Sequence, residues 1–402
     1  MTQEENRCDM KEIYLDNSAT TKAYDDVAKL VAKVMCEEYG NPSSRHTKGI
    51  DAERFVTDAY TDIASIMKIP NDDARRTLYF TSGGTESDNW AIEETCEAYG
   101  RSGKHIITTH IEHPAILRAV ERAEKSGFEV SYLSTDETGH IKLDELKDNI
   151  REDTILVSIM HVNNEIGAVQ DMEKIGRIIK ETNPETLFHS DAVQGFGKLP
   201  VIPKKWNADM ISMSSHKFHG PKGVGIFYCN KNVKLRPFIV GGGQQSGQRS
   251  GTLNVPGIAG TALAAKMCYE DRDVKNERLY DLREYFINEV LKMVPDTVLN
   301  GSLDRSLSAP HIINISFTGV RSEVLLHSLE EKGIYVSSGS ACSSHKNKLE
   351  MSDTFMSIGA TNERAESAIR FSMCDETSKE DLDITLEALN ELVPMLRRFV
   401  RH

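Results

Sequence analysis

The chain has 402 residues, more than one hydrophobic core usually serves, so a large domain and a smaller one are expected. Hydrophobic residues make up 39% and charged residues 27%, and no apolar run approaches a membrane span, which argues for an ordinary globular protein. The net charge of -13 argues against a dedicated nucleic-acid surface, because neutralising phosphates needs clustered Lys and Arg.

The opening MTQEENRCDMKE is polar and acidic, unlike a secretory signal, and the expected location is the cytoplasm. IYLDNSATT follows and belongs to the smaller domain or its junction. From about residue 76 strands and helices alternate: RTLYFTS, a helix from Thr85, KHIITT, a helix opened by Pro114 and running to Gly127, FEVSYLS and a helix over 143–150. TILVSIMHV, a helix over 171–182, TLFHSDA and ADMISMSS continue the pattern. Short apolar runs separated by amphipathic helices predict α/β architecture, a mostly parallel sheet sandwiched by helices. GVGIFYC reads as an edge or return strand.

After the glycine cluster GGGQQSGQRSGT at 241–252 the grammar changes. A long helical stretch over about 257–293 leads to HIINISF, a helix EVLLHSLEEKG, IYVSS, AIRFSM and a last helix over 379–399, which reads as a smaller α+β domain. The expected division is a large cofactor-binding domain over residues 30–256 and a smaller one built from 1–29 and 257–402.

Seven cysteines, scattered and without a C-x-x-C, fit free thiols in a reducing compartment. One of them, Cys342, sits in SSGSACSSH among serines, a glycine and an alanine. Buried structural cysteines keep apolar company, so this setting suggests an accessible, reactive thiol.

Lys217, in SMSSHKFHGPKG, follows a buried strand and precedes a Gly-Pro turn. Alone it is an ordinary surface lysine. At the C-terminal end of a sheet strand, however, it faces the crevice where α/β proteins bind ligands, and partial burial lowers its pKa until the neutral amine can form a Schiff base. A lysine used this way suggests pyridoxal phosphate, whose ring nitrogen needs a carboxylate. Asp191 in FHSDAVQ is placed for that.

The phosphate needs a helix start and hydroxyls, which FTSGGTESDN offers, with Ser214 and His216 beside Lys217 to complete the cradle. Thr85 with Asp88 also spells a capping box. His113, just before Pro114, can cover the ring and exchange protons at neutral pH, and is the candidate proton acceptor. Arg370 in AIRFSM shares the non-core face of an alternating strand with Ser372, opposite Ile369, Phe371 and Met373, and its planar fork suits a substrate carboxylate. A metal site from His110, His113, His216 and His219 is the competing reading. No carboxylate or thiolate in those motifs completes a ligand set, so no metal is expected.

Taken in order, YLDNSATT, GNPSSRH, FTSGGTESDN, EHPAI, HVNNEIG, SDAVQ, SHKFHGPKG, GGGQQSGQRSGT, SSGSACSS and IRFSM make the chain resemble the NifS-type cysteine desulfurases, pyridoxal-phosphate enzymes of fold type I in the class V aminotransferase group. The resemblance spans nearly the whole chain. It implies Lys217 as the cofactor lysine, His113 stacked on the ring, Asp191 on its nitrogen, and Asn164 and Gln194 on the ring substituents. It gives Gly84, Thr85, Ser214 and His216 to the phosphate, Thr252 to the phosphate of a neighbouring subunit, and hence a homodimer. Cys342 becomes the nucleophile that takes sulfur from L-cysteine and hands it to an acceptor protein in iron-sulfur assembly or in tRNA or cofactor thiolation, and Asn164 and Arg370 meet the substrate. Neither nucleic acid nor membrane is an expected direct partner. A selenocysteine lyase, an aminotransferase and a non-catalytic sulfur-relay protein are the rivals. Met351, where many relatives have proline, and His345, Lys346 and Lys348 near the thiol depart from the common pattern.

Overall fold

The computed structural model describes residues 11–338 and 351–399. Cys342, with its neighbours Gly339, His345, Lys346 and Lys348, lies outside them. A short strand β1 (Ile13–Tyr14) opens the described chain, and the large sheet is built from β2 (Leu78–Thr81), β3 (His105–Thr109), β4 (Glu129–Leu133), β5 (Thr154–Ser158), β6 (Leu187–Asp191), β7 (Met210–Ser214) and β8 (Gly225–Cys229). Its order is β2-β8-β7-β6-β5-β3-β4. Every residue of β3, β5, β6 and β7 is buried, as expected of parallel strands covered by helices on both faces.

β8 corrects one expectation. It is a return strand, antiparallel to β7, but β2 pairs with its other side, also antiparallel, so β8 is interior and β2 is the edge. The sequence hides this because the pairing joins Phe80 to Ile226, far apart in the chain.

Two N-terminal helices, Asp25–Cys36 and Thr47–Met67, pack with the helix Val255–Tyr269. The close approach is made at Gly260, where an added Cβ would lie 2.6 Å from Val31 Cγ2. The predicted single helix over 257–293 is two helices, Val255–Tyr269 and Arg272–Met293, broken where Asp271 turns left-handed at φ 50°. Val255, Ile258, Ala262 and Ala265 bury in the core of the large sheet, whereas Leu282, Phe286 and Ile287 bury in the second core. The change of core therefore falls at Glu270–Asp271.

The second core lies under a four-stranded antiparallel sheet, β12-β13-β10-β9, made of β9 (Thr297–Asn300), β10 (Ile312–Phe317), β12 (Ser337–Ser338) and β13 (Ala368–Ser372). β1 pairs in parallel with β11 (Ile334–Tyr335), and Asp16 bridges to Ser372, so IYLDNSATT joins this second unit and then runs on towards the large sheet. The closing helix spans Lys379–Phe399, as predicted.

Candidate active site

β6 and β7 end side by side at the C-terminal edge of the large sheet, the face on which open α/β sheets bind ligands. Asp191 is the last residue of β6 and Ser214 of β7, and the chain then turns through a single 3-10 turn, Ser215–Lys217. Lys217 Nζ donates to the carbonyls of Ser18 (2.6 Å) and Ala19 (2.8 Å). Burial, with Arg370 and Lys198 nearby, pulls its pKa down from 10.5 to about 8, while Asp191 and Asp16 resist.

Asp191 is buried and accepts the Val193 N–H at 2.8 Å. Burial, the largest influence, raises its pKa, while His113, the Val193 N–H and Lys217 oppose the rise. His113 caps the helix Pro114–Lys125, its Nδ1 accepting the Ala115 N–H at 3.1 Å. Burial lowers its pKa, with Asp191 opposing and Lys217 assisting. Lys217, Asp191 and His113 thus stand within electrostatic reach of one another.

Beneath this edge, two serines make a histidine possible in the sheet interior. His189 is fully buried on β6, with Ser158 Oγ at 2.9 Å from Nδ1 and Ser212 Oγ at 3.0 Å from Nε2. Burial drops its pKa to about 3, so the ring is neutral. Asp88 lies 3.8 Å from the same Nε2, and burial, reinforced by the charge of Asp191, raises its pKa well above normal. Asp88 therefore does not form the expected capping box; Gly83 is the N-cap without a side-chain bond, and Glu86 takes the Ser82 N–H at 2.7 Å. Glu86 in turn pairs with Arg249.

The expected phosphate cradle is a helix start, Gly84–Tyr99, lying against β7. A Cβ on Gly84 would stand 2.7 Å from Val193 Cγ2 and 3.6 Å from Ser214 Cβ, so only glycine fits there. Thr85 is exposed at the rim, Ser214 is buried, and His216 meets Thr20 Oγ1 at 3.2 Å with its pKa lowered to about 4 by burial and the nearby lysines. Gln194 Nε2 donates to the Ser18 carbonyl at 2.9 Å while its Oε1 is buried without a partner. Thr252 is exposed and forms no part of this cluster within one chain.

Arg370 is buried on β13, not solvated. It donates to Asp16 Oδ1 and to the Asn164 carbonyl, each at 2.8 Å, and its Nε is buried without a partner. Asn164 therefore meets it through its backbone. The sequence reading missed Asp16, Ser18 and Thr20, all in LDNSATT, a polar run between a strand and a helix that was left without a role.

Pyridoxal phosphate fits these residues. A lysine of lowered pKa, a buried carboxylate needing a cation, an amide oxygen needing a donor and a helix start that excludes any Cβ are what a carbonyl cofactor with a ring nitrogen, a ring hydroxyl and a phosphate requires. Lys217, Asp191 and Gln194 would hold the ring, and Gly84, Ser214 and His216 the phosphate.

Fold and site together define a class, an α/β enzyme whose lysine of lowered pKa and buried carboxylate at the sheet's C-terminal edge fit pyridoxal phosphate. The family model described as Aminotransferase class-V matches residues 13–385. Curated relatives include "Cysteine desulfurase IscS" from Dictyoglomus turgidum, 42% identical over 96% of both chains, and "Cysteine desulfurase IscS" from Methanosarcina thermophila, 42% identical over 96% of this chain and 93% of the relative. A solved "NIFS-LIKE PROTEIN" superposes with TM-score 0.89 at 37% identity, covering 96% of this chain and 100% of the other. "SspA in complex with cysteine" superposes with TM-score 0.76 at 30% identity, covering 90% and 99%. The chain belongs to the class-V aminotransferases and, within them, to the NifS-like cysteine desulfurases, pyridoxal-phosphate enzymes of fold type I.

Proposed function

We propose that the protein is an L-cysteine desulfurase that releases L-alanine and leaves the sulfur as a persulfide on Cys342. Arg370 carries the reading: a buried guanidinium, steered by Asp16 and Asn164 and within electrostatic reach of Lys217, keeps one donor without a partner, as a substrate carboxylate requires.

Pyridoxal phosphate on Lys217 supplies the electron sink that makes an amino acid's α-proton acidic. The Lys217 amine, with its pKa at about 8, is neutral often enough near that pH to hold the cofactor. The same amine would be the base that collects the α-proton. His113 keeps Nδ1 on the Ala115 N–H, so its neutral ring carries the proton on Nε2. It is a donor there, and accepts a proton only by giving up the helix cap. That narrows the proton-acceptor role expected from sequence.

The Cys342 thiolate attacks the substrate sulfur. An S–S bond forms as the substrate's C–S bond breaks, the electron pair of that bond stays on carbon, and a proton completes the methyl group of alanine. The acceptors we assign are proteins of iron-sulfur cluster assembly or of tRNA or cofactor thiolation, in the cytoplasm. We further infer a homodimer in which Thr252 reaches the neighbouring subunit's phosphate. Thr252 is exposed, and Val240, 80% exposed, lies on the segment that bridges to Arg249 at Ile239, which supports a partner surface there.

Cys342→Ala, loaded with cofactor, is expected to bind L-cysteine with a change in absorbance yet release almost no alanine. Alanine formed at the unaltered rate would overturn the persulfide step and favour a selenocysteine lyase, which competition between cysteine and selenocysteine would then confirm.

A further inference from the structure

On the far side of the Lys217 turn, a cavity of ≈ 40 Å³ is lined by groups that the desulfurase reading does not use, among them His219, Cys374, Asp375 and His311. His219 is two residues beyond Lys217, and Cys374 and Asp375 follow β13 directly. The two units of the molecule meet here. One ligand atom from each of His219, Cys374 and Asp375 lies within 4.8 Å of the other two, the only such group among the described residues.

The tautomer of His219 is fixed. Its Nδ1 lies 2.8 Å from the Lys22 carbonyl, an acceptor only, so Nδ1 carries the proton and donates it. With Nδ1 protonated, the neutral ring presents its lone pair at Nε2. That lone pair faces Asp375 Oδ1 at 3.4 Å, and Oδ1 is buried without a hydrogen-bond donor. Nε2 and Oδ1 make no hydrogen bond with each other, and a metal ion between them would satisfy both. In a tetrahedral zinc site, nitrogen and oxygen ligands with bonds of about 2.0–2.1 Å stand about 3.3–3.4 Å apart, the separation seen here.

Asp375 is arranged to offer one oxygen. Tyr24 donates to Asp375 Oδ2 at 2.7 Å and Lys275 Nζ is 3.8 Å from it, so both load the other oxygen and leave Oδ1 free. Lys198, which also lines the cavity, is tied to the Lys217 carbonyl. A divalent ion that displaces the Cys374 thiol proton to solvent and binds the thiolate and the carboxylate makes a site neutral overall, one charge more positive than the empty site, beside Lys198, Lys275 and Arg272. An anion would instead confront Asp375 and the thiol. Independently, His311 is 1% exposed, lines the same cavity, and has both ring nitrogens buried without partners, so a water in the fourth coordination position would find an acceptor waiting.

We propose that His219, Cys374 and Asp375 form a structural binding site for one zinc-class divalent cation, which fastens the exit of β13 to the turn that carries Lys217. The sequence reading set metal aside for want of a carboxylate or thiolate near the histidines. The second unit supplies both from about 155 residues away.

The test uses the cofactor-loaded full chain with Cys342→Ala, so that the reactive thiol supplies no competing ligand, and Co²⁺ as the probe. One equivalent is expected to bind with tetrahedral visible bands to the red of the cofactor's absorbance. Zn²⁺ should displace it, and X-ray absorption of the zinc form should show one sulfur at about 2.3 Å. Adding Cys374→Ser should remove the sulfur contribution, and Asp375→Asn should weaken binding at least tenfold, while Cys268→Ser leaves both unchanged. Binding well below one equivalent, no sulfur in the absorption spectrum, or bands that survive in the Cys374→Ser protein would overturn the site. The absorption measurement needs no substitution at the ligands, so misfolding of a variant cannot rescue the proposal. Loss of desulfurase activity is not a readout of this test, so the two readings fail separately.

Discussion

Two clusters of charge in this molecule make opposite use of the same residue types. On the surface of the second unit, Arg305 holds Asp281 at 2.7 Å, Glu277 at 3.0 Å and Glu284 at 2.5 Å, all in contact with water. At the edge of the large sheet, Lys217, Asp191, His113 and Arg370 include one close ion pair, Arg370 with Asp16, and are buried or half-buried. The first cluster is rich in ion pairs and poor in consequences, because water screens what geometry provides. The second has its proton affinities moved by burial and its donors left partly unmatched, which is the condition for chemistry. Exposure, not the count of pairs, separates them.

The sharpest break of that contrast is Lys217→Ala. It should abolish turnover, by more than about 1,000-fold in kcat/KM, and leave no borohydride-fixed cofactor on the chain. Fixed cofactor in that variant would move the attachment elsewhere.

Arg370→Ala comes next, with kcat/KM for L-cysteine falling by the ~2–5 kcal/mol expected when a buried hydrogen-bonded charge loses its partner. Arg370→Lys should recover only part, since an ammonium lacks the planar fork. Unchanged kinetics in both would remove Arg370 from the substrate.

A pH series tests whether the edge is as dry as the contrast requires. Only the neutral amine attaches the cofactor, and burial lowers the pKa of Lys217 to about 8. The rate of attachment to cofactor-free protein should therefore rise about tenfold per pH unit below that value and level off above it. A rise that continues to pH 10 would show a lysine in contact with water.

Smallest of all is Arg305→Ala. It removes three ion pairs at once and should move Tm by less than about 2 °C. A much larger loss would mean that the surface network matters in a way its exposure denies.

What could be read from the sequence follows the same division between local and distant. β5, β6 and β7 announce themselves as short apolar runs because both their faces are covered, and the glycine before the helix Gly84–Tyr99 marks its turn. The placement of Asp191 and Lys217 at the sheet's C-terminal edge was legible because each sits at the end of such a run. The interior place of β8 was not, since it depends on pairing with β2 across 144 to 150 residues. Asp88 misled because Thr-x-x-Asp is what a cap looks like; the carboxyl goes inside instead, beside His189. The helices Asp25–Cys36 and Thr47–Met67 carried an apolar stripe, Val27 and Val34 in the first, Val56, Tyr60 and Ile63 in the second, that was available and went unread. The partner of His219 was beyond reach, because nothing local in SHKFHG points to a cysteine at the end of another sheet.

One feature of the fold bears on how the protein is made. The segment Asp16–Thr21, whose carbonyls receive Lys217 and Gln194, is held through β1 by β11 and through Asp16 by Ser372 of β13. A ribosome delivers this segment near the start of synthesis and its anchoring strands near the end. While the large sheet can assemble on the growing chain, the first strand must wait, unpaired, for partners more than 300 residues behind it. Contacts of that sequence separation are slow to close and leave an edge open in the meantime. The active site is therefore a late event in biogenesis, and a nascent chain that has not yet emitted β13 has a lysine with nowhere to put its ammonium.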